Sequence, residues 1–70
     1  MHEYTLVVSN RMISFHDHSS LEDFLRKLVK EFCYSNKTSM SVFVEADGDL
    51  VDQFVGEIWH YVDDLCEEVA

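Results

Sequence analysis

The chain has 70 residues, and its composition is 47% hydrophobic and 13% aromatic, with no proline and two glycines. A chain of this length forms one domain, here residues 1–70, with a marginal core and no room for a deep active-site cleft. The formal net charge of −9 disfavours direct binding to nucleic acid, since no basic patch is present. No apolar run reaches the ~18 residues of a membrane span, and no basic segment precedes the first apolar stretch as in a secretory signal.

The cysteines and the lack of a signal segment predict a cytoplasmic protein. Cys33 and Cys66 each lie among helix-forming residues, which is typical of small, reduced core residues. A disulfide between them is the alternative.

The negative charge is distributed unevenly along the chain. Residues 1–37 hold five acids and all five bases, whereas residues 38–70 hold nine acids and neither Lys nor Arg. The excess charge therefore belongs entirely to the C-terminal half.

Two N-terminal segments predict a β-hairpin. The segments Glu3–Ser9 and Met12–Asp17 are rich in β-branched and aromatic residues, and Asn10-Arg11 between them suits a tight turn because Asn tolerates a positive φ. An amphipathic helix is expected next, capped by Ser19 or Ser20. Its apolar stripe has helical spacing and comprises Leu21, Phe24, Leu25, Leu28 and Phe32.

The C-terminal half predicts a third strand and a long final helix. Met40–Glu45 alternates like a strand, Ala46–Gly48 is a turn, and Asp49 is a good helix N-cap. A helix from Asp49 almost to the chain end would bury residues that recur with 3.6 periodicity. These residues are Val51, Phe54, Val55, Ile58, Val62, Leu65, Cys66 and Val69.

The element order predicts an α+β fold of the ββαβα type. A right-handed crossover through the first helix gives a three-stranded antiparallel sheet of order 2-1-3. Both helices then cover one face, as in a two-layer sandwich. Val7 and Phe43 would lie on the open face, either as an apolar spot for a partner or as scattered surface hydrophobes.

The polar face of the final helix is the predicted functional surface. Solvated helix faces usually mix charge signs, and carboxylates in the last turns oppose the helix dipole at about 0.3–1 kcal/mol each. Solubility is the alternative explanation for these acids. The ladder consists of Asp49, Asp52, Glu57, Asp63, Asp64, Glu67 and Glu68, extended by Glu45 and Asp47. Trp59 is either an interface anchor beside the ladder or a core residue.

Metal and catalytic motifs are weak. Aligning Gly48 with the glycine of a calcium loop places Phe43 and Phe54 where acids are required, so that motif fails. His16 and His18 lack a second close pair of ligands, and we expect them to be surface residues. With no activated nucleophile and no phosphate-binding glycine loop, we expect neither a cofactor nor enzymatic activity.

Three features of the chain suggest a class of protein: the acidic run from Glu45 to Glu68 that contains no Lys or Arg, the small size and the lack of proline. In these respects the chain resembles small acidic inhibitors of phages and mobile elements, including anti-CRISPR proteins and other nucleic-acid mimics. The resemblance implies an inhibitor that occupies the DNA- or RNA-binding surface of a host nucleic-acid-processing complex. We separately expect a monomer or weak homodimer that does not bind membranes. The alternative is an acidic subunit of a cellular complex, held through the open sheet face.

Overall fold

The fold consists of four strands and two helices in a computed structural model, which describes residues 2–62 and residue 65. In chain order the elements are β1 (His2–Val8), β2 (Arg11–Phe15), α1 (His18–Lys30), β3 (Ser39–Ala46), β4 (Asp49–Glu57) and α2 (Ile58–Tyr61). The strands form one antiparallel sheet of order β2-β1-β3-β4. The protein is thus α+β, but the predicted three-stranded ββαβα arrangement is wrong.

The error lies at residues 49–57, which form a fourth strand instead of the start of a long helix. Asp47 and Gly48 have φ angles of 54° and 86° and turn the chain directly from β3 into β4. Asp-Gly between two apolar segments is a strong hairpin signal because both turn positions need a positive φ. Gly56 would also weaken a helix interior. These local preferences prevail over the helical spacing of the apolar residues.

The change from helix to strand exposes part of the predicted buried stripe. Val51 is 54% exposed and Val55 is 67% exposed, whereas Ile58 and Val62 are buried as expected. Cys66 and Val69 lie outside the described residues. The stripe therefore joins two different elements, of which only the second contributes fully to the core.

Helix α1 begins at His18, ahead of the predicted serine caps Ser19 and Ser20. Asp17 is its N-cap and accepts hydrogen bonds from the Ser20 amide at 2.7 Å and the Ser20 hydroxyl at 3.1 Å. These bonds stabilise the carboxylate and hold the pKa of Asp17 below its usual range. At the other end Phe32 lies beyond the helix and is exposed, contrary to the predicted stripe.

The core lies between the sheet and one layer formed by α1, α2 and Leu65. Its buried members are Leu6, Val8, Leu21, Leu25, Leu28, Met40, Val42, Ile58, Val62 and Leu65. The opposite face of the sheet has no described element against it: Val7 pairs there with Met12 and Ser41, and Phe43 with Thr5. Within the described part of the chain, no helix is long and apolar enough to cross a bilayer.

Candidate acidic interaction surface

Five carboxylates gather at the end of the sheet where β3 turns into β4. We call this group, consisting of Glu3, Glu45, Asp47, Asp49 and Asp52, the acidic tip. The strand register brings its members together: Glu45 pairs with Glu3 on β1, while Asp49 and Asp52 pair with the last residues of β3. Asp47 lies in the intervening turn.

The acidic tip carries charge that nearby residues do not balance. Among the residues that the structure describes, ion pairs of Lys, Arg or His with acids involve only α1, where Arg26 approaches Asp23 at 2.9 Å and Glu22 at 4.0 Å. Like charges directly opposite in a sheet, as at Glu3 and Glu45, are destabilising. The acidic tip therefore lowers the stability of the folded state.

Charge segregates between the two layers of the fold. Residues 2–15 and 39–57, which form the sheet and its hairpin turns, hold six acids and one base. That base, Arg11, begins β2 at the end of the sheet away from the acidic tip. The segment 16–38, which contains α1, holds four acids and four bases. Within the described residues, the net negative charge thus lies on the sheet; four further acids of the sequence, Asp63, Asp64, Glu67 and Glu68, lie outside them.

A shallow concavity of about 250 Å³ lies beside the tip, lined by His2, Glu3, His16, Glu45, Asp47 and Gly48. Among the residues the structure describes, no three His, Cys, Asp or Glu side chains converge as metal ligands would. The exposed positions of His16 and His18 agree with the surface placement expected for them.

Glu57 and Trp59 lie at the opposite end of β4 from the acidic tip. The Trp59 indole N–H donates to the Glu57 carboxylate, and the Lys37 ammonium lies 5.7 Å from the centre of the indole. A strand rises about 3.3 Å per residue, so Asp49 and Glu57 are about 26 Å apart along β4. Trp59 is thus half-buried and lies at the end of β4 away from the acidic tip, and its role as an interface anchor stays a prediction.

The remaining predicted ladder residues, Asp63, Asp64, Glu67 and Glu68, lie outside the described residues, as does Cys66. Cys33 is exposed instead of buried, and its backbone adopts a positive φ of 59° just after α1. The expectation that Cys33 is a core residue is therefore wrong, because α1 ends before reaching it.

An aromatic contact between α1 and α2 was not predicted from the sequence. His18 Nε2 lies 2.9 Å from the Tyr61 hydroxyl, and His18 Nδ1 lies 3.7 Å from Glu22. The rings of Tyr4 and Phe54 pack against His18 and Tyr61 respectively. Partial burial, with Glu22 as the next contributor, raises the pKa of Tyr61. His18 and Tyr61 are 43 residues apart, so no local pattern in the sequence predicts this contact.

Exposed apolar side chains accompany the acids on the sheet. Met12, Leu50, Val51 and Val55 are each more than half exposed. Met12, Val7, Ser41 and Val55 form one row across the open face. An interface commonly combines such apolar side chains with a charged rim.

Comparison with protein-family models, curated proteins and solved structures gives no match to this chain. The chemistry of the candidate surface therefore rests on the residues described above.

Proposed function

We propose that the protein is a non-catalytic, cytoplasmic inhibitor that occupies the basic nucleic-acid-binding surface of a host complex, such as a CRISPR–Cas effector. The observation that carries the proposal is the unbalanced negative charge of the sheet, concentrated in the acidic tip. A surface lined by Lys and Arg to hold phosphates attracts such carboxylates for the same electrostatic reason. The protein acts stoichiometrically, as a monomer or weak homodimer.

The geometry of a sheet suits this role differently from the helix expected from the sequence. Neighbouring strands are about 4.8 Å apart and successive side chains point to opposite faces, so the carboxylates of β1, β3 and β4 lie on both faces of this end of the sheet instead of along a single line. Glu3 and Glu45 pair on the open face, whereas Asp49 and Asp52 pair with Ala46 and Val44 and lie on the face toward the helices. Negative charge is therefore presented to basic side chains from both faces of the acidic tip.

The test is competition with nucleic acid for a purified RNA-guided nuclease. The protein is expected to displace target DNA at near-equal molar amounts, with affinity falling as salt rises. The double variant Asp49→Lys/Asp52→Lys is expected to weaken the competition about tenfold or more. A matched control, Asp23→Lys/Glu31→Lys, makes the same change in net charge at α1 and is expected to retain activity.

Failure to displace nucleic acid from any member of a panel of such nucleases contradicts the proposal. Equal loss in the tip variant and the α1 control also contradicts it, since net charge and not the acidic tip is then responsible. Thermal melts of both variants verify that each remains folded.

A second candidate function is that of an acidic subunit held in a cellular complex through the open sheet face. The exposure of Met12, at 75%, beside Val7 is the observation that favours it. Phe43→Asp is expected to abolish assembly in that case, while the Asp49→Lys/Asp52→Lys variant still assembles. Size-exclusion chromatography with the purified partner distinguishes the two outcomes.

A further inference from the structure

In the described part of the chain, the sheet has two edges with no strand paired to them, and the edge formed by β4 is the longer. In the order β2-β1-β3-β4, strand β4 has nine residues, whereas the opposite edge strand β2 has five. An edge strand presents backbone N–H and C=O groups that another strand can pair with. The two edges thus offer very different lengths for pairing.

The backbone of β4 identifies which amides face outward. The Gln53 amide donates to the Asp52 carboxylate at 2.8 Å, which directs it away from β3. Antiparallel pairing alternates, so the amide of Val55, two residues further on, faces outward as well. The register with β3 is regular from Asp52 to Glu57, and its one irregularity lies at Val44/Glu45. This stretch can pair with a further strand when the Gln53 amide exchanges the Asp52 carboxylate for a carbonyl of that strand.

The side chains of β4 protect this edge by acidic charge alone, without lysine or proline. Natural edges are often blocked by lysine or proline, and β4 contains neither. It carries instead three exposed apolar side chains, those of Leu50, Val51 and Val55. An added strand would cover these side chains by cross-strand contacts. The exposed apolar side chains and the unpaired edge of β4 therefore both favour the binding of an added strand.

The charges of β4 indicate which kind of strand would pair with its outer edge. Its charged residues are Asp49, Asp52 and Glu57, all acidic. A second copy would bring three more acids and no base to this edge, and in the register centred on Gln53 it would set Asp49 against Glu57 at both ends, where like charges are destabilising. An extended segment with Lys or Arg at these positions gains attraction instead. A basic segment of another protein is thus favoured over self-association.

We propose that β4 binds an extended, basic segment of the partner protein as a fifth, antiparallel strand of the sheet. This inference rests on the proposed function, because it specifies how the basic partner is held. Main-chain hydrogen bonds along Gln53 and Val55 supply affinity, and the acids of β4 supply selectivity. The acidic tip then steers the approach of the same partner.

The probe is an eight-residue peptide with Lys at alternate positions and Val or Thr between them. Its binding to the full chain is measured by fluorescence anisotropy at low salt. The matched peptide is N-methylated along one edge, which keeps the charge and side chains but removes the pairing amides. Strand addition predicts that N-methylation weakens binding about tenfold or more, since hydrogen bonds at a desolvated edge are lost. A peptide with Glu in place of Lys is expected not to bind.

A variant of the chain provides the reciprocal test. Val55→Pro removes one outward amide without removing a hydrogen bond to β3, and it is expected to weaken binding of the unmodified peptide to a similar extent. Circular dichroism and tryptophan fluorescence establish that this variant folds. The N-methylated peptide tests the wild-type chain and does not depend on that result.

Two results overturn the inference. If the Lys peptide and its N-methylated form bind equally, strand addition is wrong, while competition for the nuclease still tests the proposed function separately. If neither peptide binds, the edge does not accept a basic strand. Conversely, N-methyl-sensitive binding together with failed nuclease competition supports the edge and rejects the nuclease as the target.

Discussion

The part of the sheet beneath α1 and the end that carries the acidic tip differ in burial and in charge balance. Leu6 and Val42 are fully buried under the helices, whereas Asp47 and Asp49 at the tip are exposed. The acids of α1 have Arg26 beside them, while the tip gathers carboxylates on adjacent strands. The contrast teaches that folding free energy comes from one region, and that the other is available for binding.

The largest expected effect is at the buried end. Leu25→Ala removes a fully buried side chain from α1 and is expected to lower the free energy of unfolding by about 2–5 kcal/mol, through lost burial and the cavity left behind. Denaturant unfolding measures it. Val55→Ala on the exposed edge is the control and should change stability by less than about 0.5 kcal/mol. Similar losses in both variants would remove the distinction between the regions.

A smaller loss is expected at the loop that follows α1. The buried Asn36 side chain donates to the Leu65 backbone carbonyl at 2.9 Å, while the backbone carbonyl of Asn36 accepts from the Trp59 backbone amide. Asn36→Ala leaves the Leu65 carbonyl without this donor and should cost about 1–3 kcal/mol in denaturant unfolding. Ser35→Ala, which removes an exposed acceptor of the Lys37 amide, should cost less. Equal costs would contradict the role given to Asn36.

Tyr61→Phe tests the contact between α1 and α2. Loss of the hydrogen bond to His18 is expected to lower stability by about 0.5–1.5 kcal/mol at neutral pH. Because the folded-state pKa of Tyr61 is raised above 10.0, folding favours the neutral phenol, and this contribution is lost as pH rises through that pKa.

Thermal melts between pH 7 and pH 11 measure the effect. The wild-type chain should lose more stability than Tyr61→Phe over the alkaline part of this range. Parallel curves for the two proteins would show that Tyr61 titrates with the same pKa in the folded and unfolded states.

The smallest expected effect is a gain in stability at the acidic tip. Glu45→Lys replaces a like-charge pair with an opposite-charge pair across from Glu3 and should raise the free energy of unfolding by about 0.2–1 kcal/mol. Denaturant unfolding at low and high salt checks it, since salt should reduce the gain. A loss of stability would indicate that Glu45 is a structural residue, and the contrast between the regions would need revision.

Part of the fold follows from local sequence signals. The first hairpin, α1 and β3 lie close to their predicted positions, because alternation and the helical stripe of Leu21, Leu25 and Leu28 are each unambiguous in period. The prediction for segment 49–57 is wrong because its adjacent apolar pairs have helical spacing and lack the alternation of a strand. The strand follows instead from Asp47-Gly48, which is a hairpin signal.

The candidate site was predictable in composition but not in shape. Glu45, Asp47, Asp49 and Asp52 were identified from the base-free run, whereas Glu3 joins them only through strand pairing. The separation of Trp59 from the tip, and the contact of His18 with Tyr61, depend on which elements pack together.

The sequence by itself determined the size, the negative charge and its confinement to part of the chain, since these are sums over residues. Only the tertiary structure decided that the acids from Glu45 to Glu57 lie on a sheet whose nine-residue edge strand β4 has no further strand paired to it among the described residues. The physical reason is that strand pairing joins residues far apart in the chain, and the energy of that pairing decides between two local conformations of similar propensity.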